Sequence, residues 1–168
     1  MPRRAARRRM ALRLPALLAL TTALLAGAPA AATATGPVTA PAAAESVLAR
    51  ADYLMARTYQ QFAVHARQRE APFDWDTDGC SPPTPTEWAA VFRPACVMHD
   101  FGYHNYGNHG STRLRLDATE ARRTAIDNRF LQEMHRICDD QPHALGNCRG
   151  AARTMYSAVR LYGGRAFH

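Results

Sequence analysis

Between Ser46 and Arg69 the chain carries no glycine or proline, and Val47, Leu48, Ala51, Leu54, Met55, Thr58, Tyr59, Phe62 and Ala63 recur at helical steps. This spacing predicts an amphipathic helix or a close pair of helices, with one apolar face that must pack. The pattern then breaks. Pro72, Gly79, Pro82, Pro83, Pro85 and Pro94, interspersed with Asp74, Asp76, Asp78 and Glu87, make most of 71–94 a predicted loop. From Ala95 to Tyr106 helical periodicity returns, with Cys96, His99, Tyr103 and Tyr106 on one face and the glycine-rich segment Gly107 to Gly110 closing it. A third helix is predicted to open at a capping pair, Asp117 and Glu120, to carry the stripe Ile126, Phe130, Met134 and Ile137, and to stop near Cys138. The last, Cys148 to Tyr162, turns Ala152, Met155, Tyr156 and Val159 inward and ends at Gly163-Gly164. No segment alternates at the period of a strand. The expectation is a small all-α domain of about four to five helices without internal repeats.

Composition adds compartment to this picture. The 168 residues are 47% hydrophobic and 21% charged, which argues against disorder and against several domains. All 21 basic residues are arginine, and Arg3, Arg4, Arg7, Arg8, Arg9 and Arg13 precede the apolar run Leu14 to Ala28. That run falls short of the roughly 20 residues a membrane-spanning helix needs. With Ala32-Thr33-Ala34 behind it, residues 1–34 read as a secretory signal peptide and 35–44, rich in alanine, threonine and proline, as a flexible lead-in. The folded domain is expected at 45–164 and a tail at 165–168. With no comparable apolar run after the leader, the mature chain is expected to be soluble, without a transmembrane segment, and a monomer; removing the leader brings the net charge down to about +1, which leaves no electrostatic footprint for nucleic acid.

Four cysteines in an exported chain read first as two disulfides. Three pairings are open; local pairing, Cys80 with Cys96 and Cys138 with Cys148, closes short loops and is preferred, each bridge contributing on the order of 3 kcal/mol. Zinc is the competing use, but the chain has no C-x-x-C pair.

Candidate chemistry sits on the second and third helices. His99 faces inward, where a histidine is ordinarily a hydrogen-bonded core residue. Asp127 lies at the edge of the packing face of the third helix, and a buried carboxylate needs a partner. Arg123 would serve, structurally. His99 would serve chemically, because a carboxylate holding one imidazole nitrogen leaves the other free to take a proton from water. Asp78, the main chain of Gly79, and Asp100 on the outward flank of His99 form an oxygen-only set of the kind calcium prefers. Asp74 and Asp76 are expected to be solvated acids, and His104, His109 and His143 solvated turn residues.

The segment Cys96-Val97-Met98-His99-Asp100-Phe101-Gly102-Tyr103-His104-Asn105-Tyr106 resembles the C-x-x-H-D-F-G-Y-x-N-Y signature of the secreted prokaryotic and fungal phospholipase A2 family. Phe73 to Cys80 is similar to that family's calcium loop, Ile126-Asp127 stands at its spacing, and Cys138 to Cys148 resembles its second disulfide. The resemblance covers most of the mature chain. It implies a disulfide-braced helical domain with an antiparallel catalytic helix pair, secreted, performing calcium-dependent hydrolysis of the sn-2 ester of glycerophospholipids. By the same resemblance His99 would activate water, Asp127 would orient His99, and Asp78, the Gly79 carbonyl and Asp100 would bind calcium. Work on aggregated lipid requires an apolar rim; Trp88 and Phe92 are candidates for it or for the core, while Trp75 is expected in the core.

Two other readings compete. His65, His99, Asp100 and Asp127 could be arranged as in the HD-type metal-dependent phosphohydrolases, although those are usually cytosolic. A catalytically silent lipid-binding or toxin-like module is the other.

Overall fold

The computed structural model describes residues 40–81, 84–141 and 146–168. The expected leader, the first part of the lead-in and His143 lie outside these residues. The described chain forms α1 (Ala40–Met55), α2 (Tyr59–Gln68), α3 (Thr86–Tyr106), α4 (Glu120–Asp140), α5 (Cys148–Tyr162) and α6 (Gly164–Phe167), with no strand among the described residues.

The long apolar stretch resolves into a pair. α1 begins at Ala40, inside the segment expected to be a flexible lead-in, and stops at Met55. Thr58 then caps α2: its hydroxyl accepts from the Gln61 amide at 3.3 Å while the Gln61 side chain accepts from the Thr58 amide at 3.2 Å. That reciprocal box is a strong start signal, so the chain re-enters a helix there.

α3 departs most from the sequence expectation. It starts at Thr86 rather than Ala95 and runs through Pro94. Proline cannot donate to the carbonyl four residues back. Here that carbonyl belongs to Ala90, an exposed residue, so water can take its place. The added turns are stabilised by burial: Phe92 is 0% exposed and Trp88 stacks on it at 5.6 Å. α4 is capped by Thr119, whose hydroxyl accepts from the Arg122 amide at 3.2 Å, so the expected capping pair Asp117 and Glu120 is corrected. Asp117 instead accepts from the Thr119 hydroxyl at 2.7 Å, two residues before the cap. α5 spans the predicted residues, but the expected tail folds into α6 and buries Phe167 at 5.2 Å from the ring of Tyr103.

α3 and α4 are antiparallel, because Phe130, Ile126 and Arg122 of α4 meet His99, Gly102 and Tyr106 of α3 in that order. Two apolar clusters flank the pair. One gathers Leu54, Phe62, Phe73, Trp75, Phe101 and Tyr106; the other gathers Phe92, Phe130, Met134, Ile137, Ala152 and Met155 around the bridges Cys80–Cys96 and Cys138–Cys148. Both preferred pairings are present, and no cysteine is free. Trp75 is in the core as expected, its indole donating to the Glu70 carbonyl at 2.8 Å.

Candidate active site

His99 and Asp127 meet on the seam between the two apolar clusters. His99 Nε2 lies 2.8 Å from Asp127 Oδ1, with His99 8% exposed and Asp127 0%. Gly102 allows this approach: a Cβ there would stand 2.8 Å from Ile126 Cγ2, inside contact distance, so a larger residue would push α4 away.

Every lone pair of Asp127 is used. Oδ1 also accepts from the Tyr103 hydroxyl at 2.9 Å, while Oδ2 accepts from Arg160 Nη1 at 2.7 Å and Arg123 Nη1 at 3.4 Å. Burial raises the Asp127 pKa, but the bonds and charges of His99, Arg160 and Tyr103 outweigh it and hold the carboxyl below its ordinary range. Asp127 is thus an ionised acceptor. His99 Nε2 is therefore the donor in their bond, and Nδ1 is the ring nitrogen not engaged by Asp127. The two arginines are in turn neutralised by Glu120, which accepts from Arg123 Nε and from Arg160 Nη2, each at 2.7 Å. The bland and the sharp partner for Asp127 are both present, on different oxygens.

The loop before α3 is fastened from beneath. Asn105, fully buried, accepts from the Asp74 amide at 2.8 Å and donates to the Asp74 and Phe101 carbonyls, both at 2.8 Å. The Asp74 side chain accepts from the Asp76 amide at 2.9 Å and from the amide and hydroxyl of Ser111. The expectation that Asp74 is a solvated acid is corrected: it is 4% exposed because these donors satisfy it. Asp76 is exposed and paired with Arg69 at 2.6 Å. His104, expected to be solvated, lies on α3, lines the cavity described below and has its Nδ1 3.7 Å from Asp74.

From that anchor the loop carries Thr77, Asp78 and Gly79 across to Asp100. The Thr77 hydroxyl donates to Asp100 Oδ2 and accepts from the Gly79 amide. Gly79 has φ of 78°, and a Cβ there would come 2.6 Å from Arg93 Nη1, so glycine suits the position twice over. Burial and the charge of Asp78 push Asp100 above the ordinary carboxylate range, against the Thr77 bond and His99. No ion pair joins Arg93 to Asp78 or Asp100 among the described residues. Asp78 and Asp100 stand in the wall of one cavity with Gly79, an oxygen donor set of the type a hard divalent cation such as calcium takes, although Asp78 Oδ2 accepts from the Ser81 hydroxyl at 2.8 Å and the Arg93 guanidinium lies against Gly79. Among the described residues no cluster of three or more His, Cys, Asp or Glu side chains is present, so main-chain and water oxygens would have to complete any such site.

These groups line one cavity of about 640 Å³. His99, Asp100, Asp78 and Gly79 form its polar wall, and Phe130, Met155, Ala158 and Val159 its apolar one. Phe92 does not reach it. Of the two places open to Phe92, lipid rim and core, the rim is corrected: the side chain is fully buried in the second cluster. Trp88, half-buried against Phe92, is also absent from the lining. His65 is on α2 with its ring edge-on to Tyr53 at 6.0 Å, away from the lining, so the set required for an HD-type phosphohydrolase is not assembled.

A family model described as prokaryotic phospholipase A2 matches residues 51–163. The chain belongs to this prokaryotic phospholipase A2 family. The curated proteins similar to it include one described as secretory phospholipase A2, from Beauveria bassiana (strain ARSEF 2860), 39% identical over 102 residues. That alignment takes in 60% of this chain and 50% of the other, so the chain spans about half the length of the curated relative it matches.

Within this phospholipase A2 family domain, sequence reasoning missed Tyr103 as a partner of Asp127, although its place one turn after His99 was a usable signal. Arg160 carried none, since its partner lies 33 residues away and nothing local marks it as more than an amphipathic-helix residue. Asn105 stood in the resembled segment, but nothing there pointed to its partner Asp74, 31 residues back.

Proposed function

We propose that this protein is a secreted, monomeric, calcium-dependent phospholipase A2 that hydrolyses the sn-2 ester of glycerophospholipids. The observation that carries the reading is the 2.8 Å contact of His99 Nε2 with Asp127, which leaves Nδ1 as the free base in a cavity also lined by Asp78, Gly79 and Asp100.

His99 Nδ1 takes a proton from water as that water attacks the ester carbonyl carbon. Asp127 holds the Nε2 proton and stabilises the imidazolium that forms. The same Nδ1 then gives its proton to the departing glycerol oxygen, so fatty acid and lysophospholipid leave and the base is restored. Asp78, the Gly79 carbonyl and Asp100 would hold calcium, which when bound supplies electrostatic stabilisation of the charge developing on the carbonyl oxygen. Phe130, Met155 and Val159 offer the acyl chain an apolar wall. Export is supported by the leader pattern and by two disulfides, which persist in oxidising compartments.

The test uses phosphatidylcholine vesicles labelled separately at the sn-1 and sn-2 acyl chains. Release of the sn-2 label, reduced by about 10²-fold or more in His99→Gln, is expected. Release of the sn-1 label, or full activity in His99→Gln, overturns the reading.

A further inference from the structure

The two oxygens of the Asp127 carboxylate are held by different means. Oδ1 serves the proposed chemistry and is shared by His99 Nε2 at 2.8 Å and the Tyr103 hydroxyl at 2.9 Å. Oδ2 faces two guanidinium groups. Arg123 commits its best geometry to Glu120, with Nε at 2.7 Å and Nη2 at 2.9 Å, and has only long contacts left for Nη1: 3.4 Å to Asp127 Oδ2 and 3.3 Å to the Val159 carbonyl. Arg160 makes the short bond. Its Nη1 donates to Oδ2 at 2.7 Å while its Nη2 donates to Glu120 at 2.7 Å. Arg160 stands on α5 beside Val159 of the apolar wall, yet it is absent from the lining of the cavity, so it reaches the site through Asp127.

We propose that Arg160 is a positioning residue for the reaction: it fixes the plane of the Asp127 carboxylate and, through it, the aim of the His99 imidazole; this rests on the phospholipase reading above. A carboxylate held at one oxygen can still turn about its bond to Cβ, and such a turn would swing Oδ1 away from Nε2. A charge-assisted bond of 2.7 Å at the second oxygen closes that freedom. The fork of the guanidinium suits the task, because its other nitrogen is anchored on Glu120, itself paired with Arg123 and His168. The Arg160 side chain is 25% exposed, so replacing it opens no closed cavity in the core. Charge and orientation act here in opposite directions. Deleting the guanidinium makes Asp127 a stronger partner for an imidazolium, which favours proton abstraction by His99, whereas loosening the carboxylate disfavours it. A loss of turnover therefore reports orientation.

Steady-state hydrolysis of a short-chain phosphatidylcholine dispersed as monomers, in the presence of calcium, tests the proposal alongside proton NMR of the folded protein, in which a far-downfield resonance missing from His99→Gln marks the His99 Nε2 proton. Arg160→Met should lower kcat about tenfold or more with KM within about twofold of wild type, and should shift that resonance upfield or lose it to exchange. Arg160→Lys, which keeps a cation within reach of Oδ2, should regain most of the turnover and the resonance. A purely structural tie would lower the unfolding temperature of Arg160→Met and leave both kcat and the resonance as in wild type. That result, a change confined to KM, or an equal loss of turnover in Arg160→Lys, overturns the proposal. Failure of the wild-type protein to hydrolyse the substrate would refute the phospholipase reading instead, and the resonance would still decide whether Arg160 positions the pair.

Discussion

Asp74 illustrates how much of this site depends on single polar residues that do no chemistry. Its carboxylate accepts from the Asp76 amide and from Ser111, and it is almost wholly buried. Burial raises its pKa, but the bonds from Asp76 and Ser111 and the charge of His104 outweigh burial, so the folded value lies below the ordinary one. The sign follows from linkage. A depressed folded pKa contributes stability that is present above the unfolded value of about 3.9 and is lost as pH falls through the folded value. Asp74→Asn, with a single acceptor oxygen, should therefore cost about 2 kcal/mol near neutral pH, and the deficit should shrink below about pH 4. Urea unfolding from pH 2 to 7 measures both; a deficit independent of pH would contradict the assignment. Little of this was legible in the sequence, because Ser111 and Asn105 lie 37 and 31 residues from Asp74 and only the fold brings them together. His99 and Asp127 were legible, since each falls on the inward face of a helix whose period is set by nearby apolar residues.

At the scale of elements, the site is the product of one close helix contact. α3 and α4 approach through Gly102, where a Cβ would meet Ile126. In a free helix Gly→Ala would be favourable by about 1 kcal/mol. Here crowding should outweigh propensity, at about 1–3 kcal/mol. Gly102→Ala should therefore lower the stability of the protein and separate His99 from Asp127 enough to depress turnover; thermal unfolding and steady-state hydrolysis read the two effects. A more stable variant with full turnover would mean the contact is looser than described. The helices themselves were readable from apolar spacing, and the start of α5 from the cysteine and the break before it. The start of α3 was not. Six prolines and glycines between 71 and 94 signal loop, yet Pro94 leaves its missing bond to solvent while Phe92 gains full burial, and the tertiary gain wins. The same event moved Phe92 from a possible rim into the core.

At the scale of the described domain, two apolar clusters flank a polar seam that holds His99 and Asp127, the pair to which the proposed chemistry is assigned. Cys80–Cys96 ties the loop bearing Asp78 and Gly79 to the helix bearing His99 and Asp100, so the polar wall of the cavity is cross-linked to the base. Arg160 and Arg123 close the opposite side by neutralising Asp127 and Glu120, which couples the tip of α5 to the orienting carboxylate. His99, the carboxylates of Asp78 and Asp100 and the apolar wall of the cavity are thus joined by a disulfide and by ion pairs. If these groups work as proposed, a divalent ion at Asp78, Gly79 and Asp100 is required. The rate of fatty-acid release from phosphatidylcholine, followed against free calcium for the wild-type protein and Asp100→Asn, tests this most directly. A wild-type rate that rises from none in chelator to a plateau with calcium, with little or no activity in Asp100→Asn, is expected; a wild-type rate unchanged by the chelator would contradict the account.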